Sequence, residues 1–102
     1  MAYEILVGLS VKDETGYQRY REGMLPILEA HGGSFGYDFR VSAVLRSRAD
    51  HDINRVFTIR FPDRAARDAF FSNDAYRAVR SQFFDASVEG VTQLAAYELD
   101  EA

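Results

Sequence analysis

The chain has 102 residues, of which 47% are hydrophobic and 27% charged, with a net charge of −4 and no cysteine. Those proportions fit a single globular domain over residues 1–102 and exclude a disordered tail. The acidic balance leaves no footprint for nucleic acid or anionic lipid, and the lack of thiols excludes disulfides and thiolate metal sites. No apolar run approaches the roughly 20 residues of a membrane helix. The opening Met-Ala-Tyr-Glu has no basic segment of the kind that starts a signal peptide, so a cytoplasmic location is expected.

Residues 3–9 alternate, with Tyr3, Ile5, Val7 and Leu9 on one side and Glu4, Leu6 and Gly8 on the other, which predicts a first strand. Asp13 then offers an N-cap. Tyr17, Tyr20, Met24, Ile27, Leu28 and His31 recur at steps of three and four, the buried stripe of a first helix. Gly32-Gly33 supplies a left-handed stop. Pro26 lies inside this helix and cannot donate to the Glu22 carbonyl, and Gly23 loosens the same turn, so a kink is expected over residues 22–26.

Residues 35–45 read as a second strand and residues 46–54 as a polar loop. Residues 56–61 read as a third strand, which Pro62 ends. Asp63 caps a helix running through Phe71. Ser72-Asn73-Asp74 restarts a helix carrying Tyr76, Val79 and Phe83, and residues 91–99 form a fourth strand. The order β-α-β-β-α-β is the ferredoxin-like plan, an α+β sandwich with helices on one side of its sheet. Right-handed crossovers are expected to set strands one and three side by side and parallel, with strands two and four as antiparallel edges.

The more apolar strand faces, including Tyr37, Phe39 and Val41, should lie under the helices. The opposite face would then carry Glu4, Leu6, Gly8, Asp38, Arg40, Ser42, Val56, Thr58 and Arg60. That mixture suits neither a core nor a solvated surface, and fits a sheet pressed against a second copy of itself. Glu4, Leu6, Asp38, Arg40, Val56 and Arg60 are therefore the candidate interface residues of a homodimer, with Arg60 meeting Asp38 or Glu4.

The run His31-Gly32-Gly33-Ser34-Phe35-Gly36-Tyr37-Asp38-Phe39 follows the proline-bearing helix. With Phe61-Pro62-Asp63, Ala65-Ala66, Phe70-Phe71-Ser72 and Tyr76, it resembles the domain-of-unknown-function 1330 family over nearly the whole chain. The resemblance implies a dimeric α+β barrel, two ferredoxin-like subunits packed sheet to sheet, and implies no known reaction. The wider superfamily includes cofactor-free monooxygenases of antibiotic biosynthesis and haem-degrading enzymes, several built on an Asn, Trp and His constellation. This chain has no tryptophan.

His31 is the candidate catalytic base, though a histidine ending a helix more often serves its last carbonyls. Asp50-His51-Asp52 has metal-ligand residue types but reads as solvated loop, so no metal is expected. The glycines at 32, 33 and 36 join helix to strand, the reverse of a phosphate loop. Tyr17, Tyr20, Tyr37 and Tyr76 could all reach the layer between helices and sheet, and of these Tyr17, Tyr37 and Tyr76, with His31, are candidate ligand-binding residues for a cleft there, with core tyrosines as the alternative. The reading is a homodimer, without cofactor, that holds a small apolar or aromatic metabolite. Its alternatives are a cofactor-free small-molecule enzyme, monooxygenase- or isomerase-like, and a purely structural pair.

Overall fold

The N-terminal alternation produces β1 (Ala2–Val11), and Asp13 starts α1 (Glu14–Ala30) by accepting from the Gly16 N–H at 3.1 Å. The computed structural model describes residues 1–100. In it α1 runs through Pro26 as one helix, so a missing hydrogen bond to Glu22 does not divide it. The helix ends in a Schellman motif. Gly33 N–H donates to Leu28 O and Gly32 N–H to Glu29 O, both at 2.9 Å, around Gly32 at φ 75°.

The chain continues as β2 (Ser34–Arg40) and β3 (Arg55–Phe61). Asp63 then caps α2 (Arg64–Ser72), and Asn73 caps α3 (Asp74–Val79) by accepting from Tyr76 N–H at 3.0 Å. A π-helical turn (Arg80–Phe84) and a short α4 (Asp85–Ser87) lead into β4 (Val88–Leu99). Among the described residues no helix is long and apolar enough to cross a membrane.

The sheet order is β2-β3-β1-β4, and every neighbouring pair is antiparallel. The expected parallel pairing of β1 and β3 is therefore wrong. Each crossover skips one strand, so β1 runs parallel to β2 and β3 to β4 without touching. The β2–β3 pair is antiparallel, which forces β3 to oppose β1 as well.

β2 is also shorter than predicted. After Arg40 the chain leaves the sheet, and residues 41–54 fold back over the side away from the helices. Asn54 anchors this segment by taking a strand partner's place at the end of β1. Its Oδ1 accepts from Val11 N–H and its Nδ2 donates to Val11 O, each at 2.8 Å.

A bulge in β2 overturns the expected facing of that strand. Phe35 pairs with Ile59 and Asp38 with Phe57, so Gly36 and Tyr37 together oppose Thr58. Tyr37 N–H donates to Thr58 Oγ1 at 2.8 Å. A Cβ on Gly36 would lie 2.6 Å from that same oxygen, so the close approach requires glycine. One extra residue reverses the alternation beyond it. Tyr37 and Phe39 turn to the open face, while Asp38 and Arg40 turn to the helix side, each opposite to expectation.

Asp38 there becomes the clasp between β2, β3 and α1. Arg55 donates to it in a fork, Nε to Oδ1 at 2.8 Å and Nη2 to Oδ2 at 2.9 Å, and Arg21 Nη1 donates at 3.1 Å. The two guanidinium side chains are only 12% and 14% exposed. Arg21 lies 4.0 Å from the centre of the Phe35 ring, adding cation–π contact. The Arg55 hydrogen bonds, with Arg21 beside them, hold the Asp38 carboxyl below the ordinary carboxylate range.

A carboxyl with a depressed folded-state pKa stabilises the fold above its unfolded pKa of about 3.9 and loses that contribution as pH falls through the folded value. Asp38→Asn should cost about 1 kcal/mol at neutral pH, kept small by the partial exposure of the carboxylate. Urea titrations of both proteins should show the gap closing as pH falls from the unfolded value of about 3.9 through the lower folded one. A gap that stays constant with pH would remove the ionic account.

Candidate functional site

Between the sheet and the segment from α2 through the π-helical turn lies a cavity of about 590 Å³. Ile5, Val7 and Leu9 of β1, with Phe57 and Ile59 of β3, form its floor. Phe71, Tyr76 and Phe84 form much of its roof, and Tyr20 of α1 closes one side. At the mouth stand Arg67, Asp68, Arg77 and Arg80, with Val91 and Gln93 of edge strand β4.

The polar feature of the wall is a pair of phenols. Tyr20 and Tyr76 hydroxyls lie 2.9 Å apart, buried, 56 residues distant in sequence. Gly23 makes this meeting feasible: a Cβ there would lie 2.9 Å from Val79 Cγ1, so α1 and α3 approach closely one turn beyond the tyrosines. Gly23 is thus a contact glycine, packed against Val79 within a continuous helix, in place of the loosened turn expected there. One hydroxyl of the pair donates to the other, and the accepting hydroxyl keeps a proton for which no acceptor stands among the described residues. Burial pushes the Tyr20 phenol well above its ordinary pKa, with Tyr76 adding to the effect, so it stays neutral at physiological pH.

The four sequence candidates for ligand binding do not come together. Only Tyr76 lines the cavity. Tyr17 stacks behind Tyr20 at 5.7 Å between ring centres, and its hydroxyl accepts from Arg21 Nε at 2.7 Å. His31 is the C-cap of α1. Its Nδ1 lies 2.8 Å from the Ile27 carbonyl, so the hydrogen-bond network assigns the proton to that nitrogen, and the ring sits edge-on to Phe70. Tyr37 lies on the opposite side of the sheet, 65% exposed and stacked on Phe39. Tyr20, among the tyrosines expected to reach this layer, lines the cavity as well. Arg77, Arg80 and Phe84 lie outside the expectation, because nothing in the sequence signals that a π-helical turn directs Arg80 and Phe84 to one wall.

The open sheet face is the second surface. Glu4, Leu6, Val56, Thr58 and Arg60 lie on it as expected, and Asp38 and Arg40 do not, because the β2 bulge sends them to the helix side. Glu4 is 7% exposed, accepts from the Tyr97 hydroxyl at 2.5 Å and pairs with Arg60 Nε at 3.6 Å. Phe39, 55% exposed, and Leu94 and Tyr97 of β4 make this face more apolar than the sequence pattern predicted. Ile53 sits 3.1 Å from where a Gly8 Cβ would be, so the 41–54 segment covers one end. His51, within it, is held at both nitrogens. Nδ1 donates to Asp52 O and Nε2 accepts from the Thr92 hydroxyl, each at 2.7 Å. No group of three histidine or carboxylate side chains stands ready for a metal among the described residues.

Residues 1–95 match the model of a family described as a domain of unknown function, DUF1330. No curated protein matches the chain. A protein of unknown function from Rhodopseudomonas palustris is 17% identical, with 99% of this chain and 84% of that one covered and a TM-score of 0.81. A dabb family protein with a ferredoxin-like fold from Mesorhizobium loti is 18% identical, with 98% of each chain covered and a TM-score of 0.68. A dimeric ferredoxin-like protein of unknown function from Jannaschia sp. is 18% identical, with 97% of this chain and all of that one covered and a TM-score of 0.60. Likeness at these identities shows the α+β, ferredoxin-like fold.

The phenol pair makes a checkable statement about the cavity wall. Tyr20→Phe or Tyr76→Phe alone should cost roughly 1–2 kcal/mol, since each strands a buried hydroxyl. The double variant should cost less than the sum, by at least about 0.5 kcal/mol. Chemical denaturation of the four proteins measures the coupling, and strict additivity would mean that the hydroxyls do not interact.

Proposed function

The chain belongs to the DUF1330 family, and on that premise we propose that it is a homodimer, joined through its open sheet face, that binds a small apolar or aromatic metabolite in the helix–sheet cavity of each subunit. The cavity carries this reading. Ligand sites are concave and run about 300–1,000 Å³ with mostly apolar walls and a few placed polar groups. A volume of about 590 Å³ beside a hydroxyl pair has that character.

The dimer rests on a separate observation. Tyr37 and Phe39 stack side by side on the open face while both stay more than half exposed, and Leu94 and Tyr97 extend the same surface. An apolar face of this kind on a lone subunit marks an interaction surface. The dimeric description of the Jannaschia protein supports a like-with-like partner.

A cofactor-free enzyme is the second reading, favoured by the spare hydroxyl proton of the Tyr20–Tyr76 pair, two residues that both line the cavity. A phenol kept neutral by burial would donate a hydrogen bond to a substrate oxygen and would not ionise to a base. His31, the catalytic candidate of the sequence, has no part in it, because it does not line the cavity.

Sedimentation equilibrium at micromolar concentration should give a dimer, and Phe39→Glu should give a folded monomer. A wild-type monomer would sink the assembly. For the cavity, chemical-shift mapping with 4-butylbenzyl alcohol should move amides at Tyr20, Tyr76 and Phe84. Shifts confined to residues 41–54, or none, would count against a cavity ligand.

A further inference from the structure

We propose that the cavity's ligand is an organic acid, its apolar body inside and its carboxylate held at the mouth by Arg77 and Arg80. This rests on the cavity being the ligand site. The inference comes from an imbalance of charge at the opening. Three guanidinium groups stand there against the single carboxylate of Asp68, in a chain whose net charge is −4.

Asp68 is already committed. Its Oδ1 accepts from Arg67 Nε at 2.7 Å, and Arg67 also lies 5.0 Å from the centre of the Tyr3 ring. Arg80 reaches Asp85 only at 4.0 Å, beyond hydrogen-bond distance, and lies over the Phe84 ring at 4.7 Å. Arg77 has no carboxylate within 4.0 Å among the described residues. Two guanidinium groups three residues apart, on adjoining helical turns, thus hold unspent donors beside an apolar opening.

A guanidinium presents paired N–H groups that match the two oxygens of a carboxylate. Seating Arg80 on Phe84 holds one such fork at the edge of the cavity wall without filling it. Beyond the rim the walls are Val7, Phe57, Phe71 and Phe84, which offer nothing to a charge and much to a hydrocarbon or ring. The free proton of the phenol pair gives one further donor for a carbonyl or hydroxyl oxygen on the ligand's body. A hydroxy- or oxo-substituted alkyl- or aryl-alkanoate satisfies all three regions together, and the unsubstituted acid satisfies the rim and the walls. A neutral hydrocarbon leaves the arginines unused.

The test compares two probes of matched body, 4-butylbenzoate and 4-butylbenzyl alcohol, by calorimetry on the full-length protein. The acid should bind about tenfold more tightly or better. Arg77→Gln/Arg80→Gln should bring the acid to the alcohol's affinity and leave the alcohol unchanged. If that variant is misfolded, raising salt from about 0.05 to about 0.5 M on the wild type should weaken the acid alone. Equal wild-type affinities with both probes in the cavity would overturn the acid while sparing the cavity reading. An acid preference that survives in the folded variant would overturn the arginine assignment. Failure of both probes to bind would remove the cavity reading and this inference with it.

Discussion

At Gly36 and Tyr37 two residues of β2 face Thr58 alone, and the sidedness of the molecule follows from that mismatch. A strand's side chains alternate with a period of two, so one added residue exchanges every later position between faces. Asp38 reaches Arg21 and Arg55 because of it, and the resulting clasp fastens the edge strand to α1. Tyr37 and Phe39 reach the open face because of it, and that face gains its aromatic surface. A regular β2 would bury two rings under the helices and leave Asp38 among the apolar groups of the open side. Gly36 permits the bulge, since any Cβ there would press on Thr58 Oγ1.

A second close approach shapes the other side of the sheet. Gly23 lets α1 come near Val79, and the two phenols meet one turn away. The helical segment after Tyr76 then changes its winding through the π-helical turn, which sets Arg80 and Phe84 along the cavity. The roof is thus tied to α1 at one end by a hydrogen bond between side chains and left unfilled beyond it. Local order and an unfilled volume coexist because the hydroxyl pair fixes the helices while no large side chain enters the space between them.

Much of the architecture was legible in short-range signals. Asp13, Asp63 and Asn73 each carry a short side-chain oxygen that can reach an N–H two or three residues ahead, and each caps the helix expected of it. Gly32 takes the left-handed conformation that ends α1. The stripe of Tyr17, Tyr20, Met24 and Leu28 is buried as the three- and four-residue steps require. The direction of β3 against β1 was misread, although it needs only strand order and the hairpin's sense. The candidate site was read less well. Of the four candidates Tyr76 lines the cavity, while Tyr17, His31 and Tyr37 lie elsewhere. Residue type says which groups can bind, and only packing says which of them share a space.

The sequence by itself determined where the helices start, the presence of four strands, the ferredoxin-like order and the burial of one helix stripe, because each depends on residues within a few positions of one another. Tertiary structure alone decided the facing of β2 beyond Gly36, the partners of Asp38, the meeting of Tyr20 with Tyr76 and the arginines at the cavity mouth. A bulge has no residue signature strong enough to locate it, since it arises where two strands match their lengths and glycine happens to permit the contact. Hydroxyls 56 residues apart meet only after both helices dock on the sheet, and nothing in their local sequence records that distance.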